Sequence, residues 1–68
     1  MTSPSDRAEL STLRAQVEDL LERITPLAER YGESPDSAVA TDLFAGERAL
    51  RSAGRAFDKA IAHLDERS

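Results

Sequence analysis

The fold is decided by residues 10–31, LSTLRAQVEDLLERITPLAERY. In this stretch apolar side chains recur at alternating steps of three and four residues, without interruption over three repeats. They are Leu10, Leu13, Val17, Leu20, Ile24, Leu27 and Tyr31. Because an α-helix has about 3.6 residues per turn, this spacing places all of them along one stripe of a helix, as in a coiled coil. Leu21 and Ala28 widen the stripe, which is typical of a helix with more than one neighbour.

Thr25-Pro26 interrupts the backbone hydrogen bonds of this helix but not its apolar spacing. Pro26 has no N–H to donate to the carbonyl of Glu22, and its ring clashes with that carbonyl. Because the spacing continues through the proline, we predict a continuous helix that is kinked near Pro26, with the proline facing solvent. The alternative is a short break, after which Thr25 caps a new helix.

Two similar helix-start signals set the predicted boundaries. Ser3 and Ser34 are each placed to cap a helix, and each precedes a proline, which is well tolerated in the first turn. Gly32 is placed to adopt the left-handed conformation that ends many helices. The predicted organisation is an N-terminal tail at 1–3, a first helix over 4–31, a tight loop at 32–34, a second helix over 35–66 and a C-terminal tail at 67–68. A loop this short makes the two helices antiparallel neighbours.

The second predicted helix differs in kind from the first. Its large apolar residues recur every seven positions, and very small residues recur between them with the same period. The large residues are Leu43, Leu50, Phe57 and Leu64, and the small ones are Gly46, Ala53 and Ala60. Glycine costs about 0.5–1 kcal/mol relative to alanine inside a helix, so Gly46 and Gly54 call for a compensating contact. Close packing against a neighbouring helix backbone would supply it.

Size and composition favour an all-α protein that needs a partner. A chain of 68 residues is marginally stable alone, and the absence of cysteine excludes disulfides and thiolate metal sites. The single histidine, His63, cannot make a structural zinc site, so we predict neither a metal nor a cofactor. Abundant arginine and alanine indicate a GC-rich bacterial genome. With no signal peptide and no apolar run of membrane length, we expect a cytoplasmic protein without a membrane span.

These constraints predict an antiparallel two-helix hairpin that dimerises into a four-helix bundle. One hairpin covers one stripe of each helix, so apolar residues off the narrow stripes would stay exposed on a monomer. These residues are Leu21, Val39, Phe44 and Ile61. A two-fold dimer covers them in one operation. We place the partner interface on the second helix, at Leu43, Phe44, Gly46, Leu50, Ala53, Phe57, Ala60 and Ile61; the partner is a second copy or the helices of another protein.

A second candidate surface is a line of positive charge on one face of the second helix. This cationic stripe consists of Arg48, Arg51, Arg55 and Lys59. Like charges at this spacing repel one another, which indicates that something acidic lies nearby. The internal candidates are the carboxylates of Glu18, Glu22, Glu29, Glu47 and Asp58; the external one is an acidic partner surface. The alternative function is therefore a regulator associated with nucleic acid or the transcription machinery. The net charge of −4 and the lack of stacking aromatics disfavour nucleic acid itself.

One resemblance to an enzyme family is present in the first helix. The segments ELSTLRAQV at 9–17, LLER at 20–23 and LAER at 27–30 resemble the first helix of the all-helical chorismate mutases. The resemblance implies a dimeric bundle in which cationic side chains clamp a substrate, a role that would fall to Arg14, Arg51, Arg55 and Lys59. It covers about a third of the chain, and the third helix of that family has no counterpart.

The residues themselves favour a non-enzymatic module. They include no phosphate-binding glycine loop, no nucleophile elbow and no Cys/His pair, so we predict no catalytic residue and no small-molecule substrate.

Overall fold

The computed structural model describes residues 4–33, 35 and 37–67, which form two long α-helices. α1 spans Pro4–Gly32 and α2 spans Ser37–Arg67. The helices run antiparallel, because Arg7 in the first turn of α1 contacts Asp65 near the end of α2, whereas Gly32 faces Ala40 beside the loop. The predicted all-α hairpin is confirmed, and the described residues include no strand.

The end of α1 differs from the prediction at Gly32. The helix includes Gly32, whose φ is not positive, so the predicted left-handed cap is wrong. The physical reason is that the chain turns only at Glu33, so Gly32 keeps helical dihedral angles. A Cβ at Gly32 would lie 4.0 Å from the Cβ of Ala40, an ordinary contact, so neither conformation nor space requires glycine there.

The start of α2 lies at Ser37, two residues after the predicted one, and Pro35 forms a bend before it. A shift of this size is within the usual variation of assigned helix ends. The predicted caps Ser3 and Ser34 and the predicted tail at 1–3 lie outside the described residues, as do Asp36 and Ser68.

α1 continues through Pro26 without a break. The alternative in which Thr25 caps a new helix is therefore wrong. The Thr25 hydroxyl instead donates a hydrogen bond at 3.0 Å to the carbonyl of Leu21, one turn back along the same helix. Pro26 is exposed, as predicted.

The contact between the helices, which we call the hairpin seam, is centred on one row of residues from each helix. The row on α1 is Arg14, Leu21 and Ala28, and the row on α2 is Ala40, Glu47 and Gly54. Seven-residue spacing keeps each row on the same side of its helix. Leu21 is only 8% exposed and Ala28 is fully buried. The expectation that Leu21 would be exposed on a monomer is wrong, because the seam runs through it.

The apolar stripe predicted on α1 is wider than one neighbouring helix can cover. Leu10, Val17 and Ile24 are half-buried beside the hairpin seam. The rest of the stripe is exposed and consists of Leu13, Leu20, Leu27 and Tyr31, at 42%, 45%, 38% and 38%. On α2, Val39 and Phe44 are exposed at 42% and 38%, whereas Ile61 is half-buried rather than exposed.

The hairpin is long and thin, with extents of 53 × 15 × 10 Å. Two helices side by side form a single layer, so neither side of that layer is covered by a further helix of the described residues. Neither helix, over the residues described, is long and apolar enough to cross a membrane.

Candidate functional site

The hairpin seam contains two charged side chains, one from each helix. From α1, the Arg14 guanidinium donates from Nε to Asp58 Oδ1 at 2.9 Å and lies 3.4 Å from Glu18 Oε2. The hydrogen bond that Arg14 donates to Asp58, with the attraction of both carboxylates, raises the pKa of Arg14 above its ordinary value. Gly54 leaves the space that the guanidinium occupies, because a Cβ at Gly54 would lie 3.0 Å from Arg14 Cζ. The close contact at Gly54 is thus made by a side chain and not by a helix backbone.

The charged group of α2 in the seam is Glu47, which is only 4% exposed. Its Oε2 lies 3.5 Å from Arg51 Nη1, one turn on, and its Oε1 has no hydrogen-bond partner among the described residues. On the register set by Arg14 and Gly54, Glu47 lies level with Leu21. A buried carboxylate beside an apolar residue costs stability unless it is fully hydrogen-bonded.

One further ion pair joins the two helices at the end of the hairpin opposite the loop. Arg7 Nε donates to Asp65 Oδ1 at 3.0 Å, and its Nη1 donates to the Ser11 hydroxyl. The hydrogen bond to Asp65 raises the pKa of Arg7 above its ordinary value. The pairs Arg7–Asp65 and Arg14–Asp58 are separated from each other by seven residues along each helix. They therefore fix the antiparallel register at two levels.

Two rows of residues flank the seam on the same side of the hairpin. Leu13, Leu20 and Leu27 each directly precede a seam residue of α1, and Val39, Gly46 and Ala53 each directly precede a seam residue of α2. One residue turns a helix by about 100°. Two antiparallel helices in contact are related by an approximate two-fold axis perpendicular to the layer that they form. Rows with the same offset from the seam therefore emerge on the same side of that layer.

This shared side is the apolar face of the hairpin. On α1 it consists of Leu13, Leu20, Leu27 and Tyr31, and on α2 of Val39, Gly46, Leu50, Ala53, Phe57 and Ala60. Leu20, Ile24 and Leu27 line a shallow open groove along it, together with Arg23. Apart from its chain neighbours and the adjacent backbone of α2, nothing in the described part of the chain lies within 4 Å of a Cβ placed at Gly46, so the surface is open there too.

The predicted interface residues of α2 do not all lie on one side. Gly46, Leu50, Ala53, Phe57 and Ala60 belong to the apolar face. Leu43 and Ile61 lie between this face and the seam and are half-buried. Phe44 lies on the opposite side of the seam, towards the cationic stripe, because it is three residues before the seam residue Glu47 and not one.

The cationic stripe faces away from the apolar face, and all four of its residues are exposed. Arg51 pairs with Glu47 at 3.5 Å, as the sequence suggested. Asp58, another carboxylate predicted to offset the stripe, pairs with Arg14 of α1 and not with a residue of the stripe. Arg48, Arg55 and Lys59 make no ion pair within the described residues. Glu18, Glu22 and Glu29 lie on the same side of the hairpin, on α1, and none of them forms an ion pair with the stripe.

The four residues that the chorismate mutase resemblance would use are not brought together. Arg14 lies in the hairpin seam with two carboxylates on its guanidinium, whereas Arg51, Arg55 and Lys59 point outward from α2. No inward-facing cationic pocket results among the described residues. These residues also contain no group of three or more His, Asp or Glu side chains that could hold a metal ion.

Two features of the site were not predicted from the sequence: the contact of the Arg14 guanidinium with Gly54, and the buried carboxylate of Glu47. A signal for both is present in α2. Residues 40, 43, 47, 50, 54, 57, 61 and 64 follow steps of three and four residues as regularly as the stripe of α1. Glu47 and Gly54 fall on this stripe and are its two members that are not apolar side chains.

Comparison of the chain with protein-family models, with curated proteins and with solved structures gives no match.

Proposed function

We propose that this protein is a non-enzymatic helix-docking module, whose apolar face pairs with the same face of a second copy to complete a four-helix bundle. The observation that carries the proposal is the surface that the hairpin leaves in water. Its accessible area is 5065 Å² for a mass of 7.4 kDa. A compact monomer of that mass exposes roughly 4200 Å², so about 900 Å² are in excess. A stable interface buries about 800 Å² per partner.

The composition of the apolar face supports the same proposal. Leu13, Leu20 and Val39 are each more than 40% exposed, although each has the side chain of a core residue. Burying apolar area gains about 25 cal/mol per Å², and a single-layer hairpin has no other way to cover these side chains. A second hairpin stacked on the first supplies the missing layer, as in four-helix bundles.

A second copy is favoured over a foreign helix because one symmetric operation covers the apolar faces of both copies. Helices of another protein are the alternative partner for the same face. We also propose, from the composition of the sequence, that the protein is bacterial and cytoplasmic.

Sedimentation equilibrium of the purified chain over a wide concentration range tests the proposal. We expect a mass twice that of the 7.4 kDa chain. Leu20→Glu places a charge on the apolar face and should give a monomer, whereas Ala15→Glu, on the exposed side of α1 away from that face, should leave the dimer intact. A wild-type monomer at all concentrations, or equal effects of the two variants, would overturn the proposal.

The second candidate function uses the cationic stripe. Three exposed cations that make no ion pair within the described residues favour an acidic partner surface, such as nucleic acid or a component of the transcription machinery. A mobility shift with DNA and RNA at several salt concentrations tests this function, because phosphate binding weakens steeply with salt. Absence of binding at low salt would eliminate nucleic acid as the ligand.

A further inference from the structure

Within the apolar face, the outer row carries large side chains on α1 and, from residue 46 onward, small ones on α2, where Leu50 and Phe57 lie nearer the seam. Leu13, Leu20 and Leu27 form the row on α1, and Gly46, Ala53 and Ala60 form the corresponding row on α2. Both rows have a seven-residue period, which is about 10.5 Å along a helix. The face therefore has ridges over α1 and recesses over α2.

Two symmetric stackings of this face on itself are possible. A two-fold axis perpendicular to the helices lays α1 on α1 and α2 on α2, which sets ridge against ridge and recess against recess. An axis parallel to the helices lays α1 of each copy on α2 of the other, which sets ridges into recesses. Interiors pack at crystal-like density, so the second stacking is the one that fills space without voids or clashes.

We infer that α1 of each copy packs on α2 of the other copy, about a two-fold axis parallel to the helices. The leucines of α1 then insert between the small residues of α2. This inference rests on the proposed homodimer. Every helix in this arrangement has antiparallel neighbours, as in an up-down four-helix bundle. The surface that receives each row of α1 leucines is then the row of small residues on α2 of the other copy.

The register of the hairpin supports this packing independently. Arg14 lies over Gly54, and Gly32 lies against Ala40, so a residue of α1 is level with a residue of α2 whose number is about 68 to 72 minus its own. A two-fold axis parallel to the helices preserves levels along the helices. Leu20 of the second copy is therefore level with residues 48–52 of α2.

That level is the centre of a recess on α2. Its four walls are Gly46, Ala49, Leu50 and Ala53, the arrangement that receives a knob in knobs-into-holes packing. Leu13, seven residues earlier, is level with residues 55–59, the centre of the next recess. Its walls are Ala53, Ala56, Phe57 and Ala60. Two successive leucines thus meet two successive recesses without any shift along the axis.

The charges at the edge of the face are complementary in this stacking. Arg23 borders the groove on α1, and Asp42 lies on the matching outer edge of α2. In the inferred dimer Arg23 is level with residues 45–49 of the second copy, about one to two helical turns from Asp42. A long arginine side chain spans that distance.

Cysteine cross-linking tests the inference cleanly, because the chain contains no cysteine. In the inferred dimer, Leu20 of one copy faces Ala53 of the other. The double variant Leu20→Cys/Ala53→Cys, oxidised in a glutathione buffer, should therefore give a covalent dimer on a non-reducing gel. The matched control is Leu20→Cys/Ser52→Cys, in which the second cysteine lies on the side of α2 away from the apolar face; it should stay monomeric on the gel.

The outcomes separate this inference from the function on which it rests. A dimer by sedimentation with no preferential cross-link between positions 20 and 53, or a strong cross-link in Leu20→Cys alone, would overturn the inferred stacking and leave the homodimer standing. A wild-type monomer would overturn both.

Discussion

The guanidinium of Arg14 occupies the space where a side chain at Gly54 would begin. A Cβ at Gly54 would lie 3.0 Å from Arg14 Cζ and 3.2 Å from each of its terminal nitrogens. The guanidinium cannot move away freely, because Asp58 and Glu18 hold it at 2.9 Å and 3.4 Å. The absence of a side chain at position 54 and the position of Arg14 are therefore coupled across the hairpin seam.

This coupling predicts the effect of Gly54→Ala. In a free helix the substitution would stabilise by about 0.5–1 kcal/mol through helix propensity. In this hairpin the added methyl group displaces the guanidinium, so we expect no net stabilisation. In the Arg14→Ala background the obstacle is absent, and the full gain should return. Urea denaturation of the four variants of this cycle measures the difference. An equal gain in both backgrounds would show that the guanidinium yields without cost.

The buried carboxylate of Glu47 gives a second prediction. Its Oε1 has no hydrogen-bond partner among the described residues, and its contact with Arg51 is long at 3.5 Å. We expect Glu47→Leu to raise the free energy of unfolding by about 1–4 kcal/mol, because a leucine there avoids the desolvation of a charge.

The exposed Glu22 provides the matched control, since Glu22→Leu should change stability by no more than about 0.5 kcal/mol. Chemical denaturation of both variants makes the comparison. If Glu47→Leu destabilised the protein, the carboxylate would have a hydrogen-bond donor outside the described residues of one hairpin, and a second copy would be the first place to look for it.

The fold was predictable because its signals are local. The stripe in residues 10–31, the early prolines and the short connection each indicate two antiparallel helices without reference to tertiary contacts. The rotation of α1 about its own axis was not predictable in the same way. Its apolar stripe is wide enough that Leu20 or Leu21 could face α2, and hydrophobic spacing does not distinguish them.

The choice between Leu20 and Leu21 depends on α2. Its most regular stripe includes Glu47 and Gly54, and Gly54 receives Arg14 from α1, which sets the rotation that buries Leu21. The rotation of α1 is therefore set by both helices together. The sequence of α1 alone does not show that Leu13, Leu20 and Leu27 are exposed on the apolar face.

The third prediction concerns the small residues of the apolar face. Gly46→Leu and Ala53→Leu each place a large side chain where the proposed dimer needs a recess. Overpacking of this kind costs about 1–3 kcal/mol, which corresponds to roughly a 5- to 150-fold weaker dimer. Neither change should alter the hairpin itself, because Gly46 is exposed and Ala53 lies off the centre of the seam.

Ser52→Leu is the matched control for this prediction. Ser52 is the neighbour of Ala53 but lies on the exposed side of α2 away from the apolar face. Sedimentation reports the dimer, and circular dichroism confirms that each variant keeps its helices. Unchanged association and melting temperature in either Gly46→Leu or Ala53→Leu would show that these small residues are not part of an interface.

The fourth prediction concerns Pro26, which lies inside a continuous helix with its ring exposed. Pro26→Ala restores an N–H that can donate to the carbonyl of Glu22 and removes the clash of the ring with that carbonyl. Proline in turn restricts the unfolded chain, which offsets about 0.4–1 kcal/mol of the gain. We expect a net stabilisation of about 1 kcal/mol or more, measured by thermal and urea denaturation.

Pro4 is the natural control for Pro26, because it is the first residue of α1, where the missing N–H has no partner within the helix. Pro4→Ala should therefore leave stability nearly unchanged. A strong loss of stability in Pro26→Ala alone would mean that the proline itself is needed to bring Leu27 and Tyr31 onto the apolar face. In that case the dimer should weaken in the same variant, and sedimentation of Pro26→Ala would separate a local backbone effect from a defect in assembly.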